Sequence, residues 1–186
     1  MDLLEHKIVK RAQKGDRIAF AELVELYKDK LYNLSYRMLG NPHDAEEVAQ
    51  EAFMRAYIHL KKYDSRHKFS TWLLRIATNC CIDRLRKKQA DYSLDAPLDE
   101  ADGADLYTIL PSPDTLPDDQ VVIREARLQL QAAIEQLPPA YRAVVILKYV
   151  EDLSLQEIAD VLSVPVSTVK TRLHRGREAL RAHFRE

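Results

Sequence analysis

Cysteine is scarce in this chain, and its placement excludes two kinds of site. The two cysteines, Cys80 and Cys81, are adjacent, so they cannot join distant segments through a disulfide. We predict that both are reduced, buried and act as small apolar residues. No CxxC pair or His–Cys cluster has the spacing of metal ligands. The sequence therefore predicts no structural zinc, no other metal and no cofactor.

Long apolar runs are also missing. No stretch approaches the ~20 consecutive apolar residues that span a bilayer. The opening segment, MDLLEHKIVKRAQKGD, has no apolar signal core, so a cytoplasmic protein is expected. With 186 residues, 46% of them hydrophobic and 31% charged, the chain is long enough for one large globular domain or two small ones.

Basic residues are absent from one internal segment. Residues 89–120 contain nine acidic residues and neither lysine nor arginine, whereas residues 1–88 carry a net charge of +6 and residues 121–186 a net charge of +2. Four of the eight prolines also lie in this segment, and proline fixes φ and removes a backbone donor. We therefore predict an extended acidic linker over 91–120 that joins two domains, 1–90 and 121–186. The linker could be a plain tether, or a strap that mimics nucleic-acid charge inside a basic channel.

No segment alternates apolar and polar residues as a strand does, so we predict an all-α fold with two small helical domains. In the first domain, Asp16 is placed to cap a helix that Gly40 ends, and Asn41 with Pro42 begins the next helix. That next helix turns small apolar residues inward and presents acidic and amide residues outward or in its first turns. Taken alone, these acidic and amide residues indicate a solvated helix face whose acids stabilise the helix through its dipole. Its members are Asp44, Glu46, Glu47, Gln50 and Glu51.

The stretch KFSTWLLRIATNCCIDRLRKK (68–88) carries two stripes at helical spacing. The first is apolar and is predicted to face the core, with Phe69, Leu73, Ile76 and Cys80 beside Leu74, Ala77, Cys81 and Leu85. The second combines an aromatic ring, an amide and cations, which is more than solubility requires. Its members are Lys68, Trp72, Arg75, Asn79, Ile82 and Arg86. We expect one helix that serves both as core and as a nucleic-acid surface, with Trp72 either buried or against DNA.

The last segment, SLQEIADVLSVPVSTVKTRLHRGREALRAHF, predicts a helix-turn-helix. Ser154 and Glu157 form a capping box before a short apolar helix. That helix ends at Ser163, where a glycine often lies, and a second helix begins near Val166. The second helix turns a polar and basic face away from the core, which suits the major groove of DNA. This face contains Ser167, Lys170, Thr171, His174, Arg175 and Arg177.

These two motifs, in this order, resemble a known family. DAEEVAQEAFMRAY followed by KFSTWLLRIATNCCIDRLRKK is similar to regions 2.2 to 2.4 of bacterial RNA polymerase sigma factors, and SLQEIADVLSVPVSTVKTRLHRGREAL is similar to region 4.2. The short length and the direct joining of regions 2 and 4 resemble the extracytoplasmic-function group, most closely its sigma-W subgroup. The resemblance covers nearly the whole chain outside the linker.

The resemblance implies a role for each face. The α-helical face with Asp44, Glu46, Glu47, Gln50, Glu51 and Phe53 would dock on the β′ clamp of core RNA polymerase. The promoter −10 element would meet Lys68, Trp72, Arg75, Asn79, Arg84 and Arg86. The −35 element would meet Ser167, Lys170, Thr171, Arg172, His174, Arg175 and Arg177. The second domain would also contact the β flap, and the linker would follow the RNA exit path.

The resemblance further implies the partners and the setting. It describes a dissociable initiation factor that is monomeric when free, has no small-molecule substrate, and is controlled by a membrane-bound anti-sigma factor, with envelope stress as the signal. Two alternatives remain open from the residues. A free-standing regulator would bind its operator alone, usually as a symmetric dimer. A serine recombinase would need an activated serine among clustered arginines on a fold with a sheet, whereas Ser35 is predicted in the middle of a helix and Ser65 and Ser70 flank a basic loop.

Overall fold

The fold is entirely helical in the part of the chain described by the structure, a computed structural model. It describes the backbone of residues 3–92 and 119–184, and the side chains of 4–88 and 128–184. Within these ranges there are eight α-helices, one short 3₁₀ helix at Leu60–Lys62 and no β-strand. The prediction of an all-α fold is confirmed. The α-helices are α1 Leu3–Gln13, α2 Arg17–Leu39, α3 Pro42–His59, α4 Phe69–Tyr92, α5 Asp119–Gln136, α6 Pro139–Tyr149, α7 Leu155–Leu162 and α8 Val166–His183.

The boundaries of α2 and α3 follow from local capping chemistry. The Asp16 side chain accepts hydrogen bonds from two backbone N–H groups of the first turn of α2, both at 3.0 Å. Gly40 ends α2 with φ +70°, a left-handed conformation that costs glycine no Cβ strain. The Asn41 side chain accepts from the N–H of Asp44, and Pro42 occupies the first turn of α3. All three predicted signals are therefore present.

Helix α2 lies at the centre of the first helical unit and packs against α1, α3 and α4. The apolar stripe predicted for α4 lies in this core, where Phe69, Leu73 and Leu74 are each about 1% exposed. Cys80 and Cys81 are buried and free, as predicted. Burial raises the pKa of Cys80 to about 11 and that of Cys81 to about 12. Both thiols are therefore packed as apolar groups.

The second helical unit contains α5 to α8, and α7 and α8 form the helix-turn-helix. The capping box is present: Ser154 and Glu157 exchange hydrogen bonds between side chain and backbone at 2.9 and 3.2 Å. Ser163 takes the turn position with φ +54°, in the left-handed region that favours glycine. Gly176 lets α8 approach α6, because a Cβ there would lie 2.9 Å from Cγ2 of Val145.

The two helical units are packed against each other. Helix α2 contacts α5 and α6, and helix α4 contacts α6 and α7. Arg142 is buried at this junction, 7% exposed, and its guanidinium donates to the Met38 carbonyl at 2.5 Å. It also donates to the carbonyls of Glu135, in the last turn of α5, and of Leu137, which follows that helix. One side chain therefore ties the end of α2 to the junction of α5 and α6.

Two further sequence-based expectations concern the acidic linker and membrane-spanning helices. Most of the predicted acidic linker, 91–120, lies outside the described residues. Among the helices that the structure describes, none is both long and apolar enough to cross a membrane.

Candidate nucleic-acid and polymerase interfaces

The polar stripe predicted on α4 lies on the surface of the first unit. Lys68, Arg75, Asn79 and Arg86 are all exposed, and they follow one another along one side of the helix. An amide flanked by guanidinium groups can donate to a base edge while the cations lie near phosphates. The α4 stripe therefore has the exposure and the chemistry that contact with a nucleic acid requires.

Trp72 lies at the boundary between this stripe and the core. Its ring is half-buried, with its centroid 5.1 Å from that of Tyr63 and 5.5 Å from that of Phe69. Tyr63 and Phe69 also meet edge to face at 5.5 Å. The sequence left open whether Trp72 is buried or lies on the DNA-binding surface. In the structure, one part of the ring packs on the core and the rest is accessible.

The loop before α4 is held by hydrogen bonds from Gln13 of α1 and by others within the loop. The Gln13 amide donates to the carbonyls of Leu60 and Tyr63 at 3.1 and 2.9 Å, and the Tyr63 hydroxyl donates to the His67 carbonyl at 2.5 Å. Asp64 accepts from the side chain and the backbone N–H of Arg66, which lowers the pKa of Asp64 to about 2. The loop is thus preorganised beside the exposed edge of Trp72.

Arg84, predicted to follow DNA phosphates, forms ion pairs within the first unit. Its guanidinium contacts Asp44 at 3.2 Å and Glu47 at 2.8 Å, and Lys88 bonds to Asp44 as well. Asp44 is only 8% exposed, so its carboxylate has little surface for a partner protein. The physical reason is that α3 and α4 lie side by side, which brings residues some 40 positions apart into contact.

The outer face of α3 carries the remaining polar residues of the predicted polymerase-binding row. Glu46, Glu47 and Gln50 are exposed, and Glu51 is half-buried beside Arg55 at 2.6 Å. Phe53 is half-buried against the core. Apart from Asp44, the row therefore forms a continuous accessible face.

An apolar patch that the sequence reasoning missed adjoins this row. Met54 and Ile58 on α3 are 66% and 68% exposed, Ile18 on α2 is 72% exposed, and Tyr57 is 45% exposed with its ring 4.8 Å from that of Phe20. Phe20, Met54, Tyr57 and Ile58 line a shallow cavity of about 400 Å³ together with Arg17 and Phe53. The sequence signal was available, since positions 54, 57 and 58 share one helical face. Contiguous exposed apolar groups of this kind mark interaction sites.

The polar face of α8 is exposed as predicted. Ser167, Lys170 and Thr171 lie at its start, where the Thr171 hydroxyl donates to the Ser167 carbonyl at 3.1 Å. Arg175 donates to the Tyr141 hydroxyl at 3.2 Å, which orients its guanidinium. His174 and Arg177 are also exposed, whereas Arg172 is half-buried and turned toward α4. The face can therefore present donors to the major groove.

One group of possible metal ligands occurs in the described residues. His43, Asp44 and Glu47 bring potential ligand atoms within 4.8 Å of one another. Arg84 already bonds to both carboxylates, and Lys88 bonds to Asp44. Two cations at the same carboxylates oppose the binding of a third, so this cluster is an ion-pair network of the α3–α4 contact.

The recombinase alternative fails on the fold. Its chemistry needs a sheet that positions an activated serine, and no strand occurs in residues 3–92 or 119–184. Ser35 is fully buried within α2, where its hydroxyl accepts from the Cys81 thiol at 3.7 Å. A serine in that position has no access to a DNA phosphate.

Two family models match this chain, one in each helical unit. The family models for Sigma-70 region 2 and for Sigma-70, region 4 match residues 23–90 and 127–180. The chain is 52% identical over 186 residues to the extracytoplasmic-function RNA polymerase sigma factor SigW of Bacillus subtilis, with 100% of both chains covered.

Two solved structures share the fold. CnrH, solved with the cytosolic domain of CnrY, superposes with a TM-score of 0.67 at 22% identity, over 96% of this chain and 95% of that one. The sigma factor RpoE of Bartonella quintana, solved with the anti-sigma factor NepR, gives 0.65 at 20% identity, over 89% and 96%. Full-length identity above one half, together with both region matches, confirms the resemblance: the chain belongs to the extracytoplasmic-function sigma factors, which are transcription initiation factors and not enzymes.

Proposed function

We propose that this chain directs promoter-specific initiation by core RNA polymerase through three faces on two domains. Residues 1–90 would form the domain that binds polymerase and the −10 element, 121–186 the domain that binds the −35 element, and 91–120 the acidic connection. The observation that carries the proposal is the pair of exposed basic faces on α4 and α8, one in each helical unit. Two such faces on one chain suit two separated DNA elements.

The α8 face is proposed to read the −35 element in the major groove. Its first turns offer Ser167, Lys170 and Thr171, and residues at the start of a recognition helix meet base edges. Arg175, oriented by Tyr141, has the fork geometry that reads guanine. His174, Arg172 and Arg177 would flank these contacts and add affinity through phosphates.

The α4 face is proposed to bind the −10 element as a separated strand. Asn79 can hydrogen-bond an extruded base edge, and stacking on an aromatic ring such as Trp72 is worth about 1–3 kcal/mol per base. Lys68, Arg75 and Arg86 would contact phosphates, which makes the affinity salt-dependent. Arg84 would contribute by orienting this surface through its ion pairs with Asp44 and Glu47.

Polymerase is proposed to bind the outer face of α3. The exposed row of Glu46, Glu47, Gln50 and Glu51, with Phe53 at its edge, would meet the β′ clamp, and the adjacent apolar patch supplies the desolvated centre that protein interfaces use. Asp44 would support the face from within. The second domain would contact the β flap, and the acidic linker would pass the RNA exit path.

Control by an anti-sigma factor is proposed as well. One structural neighbour, RpoE of Bartonella quintana, was solved with the anti-sigma factor NepR, and the sigma-W-type resemblance implies a membrane-bound inhibitor that responds to envelope stress. The chain would then act in the cytoplasm, held at the inner face of the membrane until release. No cofactor, metal or small-molecule substrate is part of the proposal, and the free protein is proposed to be a monomer.

Separate variants test the three faces on intact protein. Met54→Asp should weaken binding to core polymerase, whereas Leu26→Asp, at an apolar residue on α2 that is 59% exposed, should not. Once the holoenzyme has formed, Asn79→Ala should weaken binding of the −10 strand and Arg175→Ala binding of the −35 duplex. The matched controls are Asn33→Ala and Arg181→Ala, both at exposed positions outside the proposed faces.

The readouts are polymerase affinity and promoter affinity, measured separately. The proposal requires Met54→Asp to lower the polymerase affinity alone, and Asn79→Ala and Arg175→Ala to lower the promoter affinity alone. Equal loss in both readouts would refute the assignment of separate faces, and tight sequence-specific binding by the protein alone as a dimer would indicate a free-standing regulator.

A further inference from the structure

Five lysines form a basic track on the first unit that none of the proposed DNA or polymerase contacts uses. All five side chains are exposed, and none of them has an ion pair within the part of the chain that the structure describes. The track consists of Lys7, Lys10 and Lys14 on α1 and of Lys61 and Lys62 on the 3₁₀ helix.

Hydrogen bonds from Gln13 join the two parts of the track. The Gln13 amide donates to the carbonyls of Leu60 and Tyr63 at 3.1 and 2.9 Å, and these two carbonyls flank the lysines of the 3₁₀ helix. On α1, one lysine lies three positions before Gln13, on the same side of the helix, and another follows it directly. The end of α1 therefore brings its lysines beside those of the 3₁₀ helix.

The track also meets the α4 face. Lys62 lines the same cleft, of about 570 Å³, as Trp72 and Arg75, which are members of the stripe proposed to bind the −10 strand. A strand that lies on Trp72 is therefore within reach of the 3₁₀ helix, and α1 lies beyond it.

The charge of the track is not compensated by its neighbours. The nearest acids in the sequence have other partners, since Asp16 pairs with Arg11 at 2.7 Å and Asp64 pairs with Arg66 at 2.5 Å. Lys10 and Lys14 are four positions apart on one helix, and like charges at that spacing destabilise it. The fold gains nothing from these lysines, whereas a polyanion would neutralise them.

We propose that the basic track binds phosphates of the promoter strand that continues past the −10 element, so that the first unit holds a longer stretch of DNA than it reads. This inference rests on the proposed −10 role of α4. Lysines contact phosphates as point charges, so the track adds affinity and register but no base preference. Each phosphate neutralised on a single strand contributes about 0.7 to the slope of log affinity against log salt.

Strand binding by the holoenzyme tests the proposal. Three fluorescein-labelled non-template strands come from one mapped start site: the −10 element alone, the element extended to the start site, and the element extended equally far upstream. For a longer strand, Lys10→Gln combined with Lys14→Gln should lower the salt slope by about 1.4, so that the wild-type advantage shrinks about sevenfold from about 50 to 200 mM salt. The −10 element alone should show no change. The longer strand that responds identifies the side on which the track binds.

The matched control is Lys28→Gln combined with Arg181→Gln, which removes the same charge from exposed positions outside the track. These two side chains already pair with Glu25 and Glu178, so all three slopes should stay unchanged. Glutamine and lysine have similar helix propensities, and circular dichroism verifies that both variants retain their helix content. Polymerase affinity, measured separately, verifies that both variants form the holoenzyme.

An anionic membrane is the other polyanion that a basic helix face suits. Flotation with vesicles of phosphatidylglycerol and phosphatidylcholine distinguishes the two. If the track variant loses vesicle binding while its salt slopes equal those of the wild type, the track is a membrane contact and the proposal is overturned.

The inference and the proposed function fail in distinguishable ways. If the holoenzyme prefers the −10 strand to a scrambled one but the track variant changes neither longer strand, or changes all three strands equally, the inference is refuted and the −10 role of α4 stands. If the holoenzyme shows no preference for the −10 strand, that role is refuted and the inference falls with it.

Discussion

The buried guanidinium of Arg142 gives the sharpest stability prediction. Arg142→Met preserves the length and apolar packing of the side chain but removes the donors that serve the carbonyls of Met38, Leu137 and Glu135. Two of these three hydrogen bonds are fully buried. The carbonyls have no water to replace the lost donor, so the folded state should lose most of their hydrogen-bond free energy.

The magnitude follows from those two buried acceptors. Each buried acceptor left unsatisfied costs about 1–3 kcal/mol. Part of that cost is offset, because burial lowers the pKa of Arg142 and its removal relieves the desolvation of a charge. We expect a net loss of about 3 kcal/mol in the free energy of unfolding.

Urea unfolding followed by circular dichroism measures this loss. With a denaturant slope of about 2 kcal/mol per molar, the midpoint should fall by about 1.5 M. Arg181→Met is the matched control: Arg181 is exposed and pairs only with Glu178 among the bonds described, so its midpoint should move by about 0.2 M or less. If Arg142→Met shifted the midpoint no more than this control, Arg142 would not be satisfying buried carbonyls and the reasoning would be wrong.

Three further predictions concern the second unit and the thiols. Ser154→Ala should destabilise α7 by about 1 kcal/mol in thermal unfolding, because the N–H of Glu157 loses its cap; a change near zero would contradict the capping box. Gly176→Ala should destabilise by about 1 kcal/mol, since the clash with stiff, buried Val145 outweighs the gain in helix propensity; stabilisation would show that α6 and α8 can separate. Cys81 should resist iodoacetamide at pH 8 until urea unfolds the protein, because burial raises its pKa to about 12; fast labelling of the native protein would refute that burial.

Local sequence signals predicted the helices well. The ends of α2 depend on Asp16 and Gly40, and each acts through atoms within four residues of itself. The capping box before α7 is equally local. The two stripes of α4 were predictable because helical spacing alone determines which residues share a face. Nothing outside the segment is needed for any of these inferences.

Contacts between distant segments could not be predicted in the same way. The sequence did not show that Asp44 and Arg84 form an ion pair, because that pair depends on the side-by-side packing of α3 and α4. Periodicity contains no information on which helix lies against which. The same limit applies to Lys68, whose partner Glu157 is 89 residues away, and to the bond from Arg142 to the end of α2.

The apolar patch beside the α3 row was missed for a different reason. Met54, Tyr57 and Ile58 are apolar, and apolar residues on a helix are usually assigned to the core. Here the small residues Ala49, Ala52 and Ala56 fill the core side of α3, and their size leaves the large side chains on the outside. A helix whose alanines face inward and whose large apolar residues do not is a signal of a binding surface that sequence reasoning can use.

Run-off transcription tests the central claim most directly. Purified protein is added to sigma-free bacterial core polymerase on fragmented genomic DNA, and the 5′ ends of the RNA are sequenced. We predict defined starts that share two upstream elements, lost with Asn79→Ala and Arg175→Ala and retained with Asn33→Ala and Arg181→Ala. The absence of protein-dependent starts, together with sequence-specific DNA binding by the protein alone, would contradict the account.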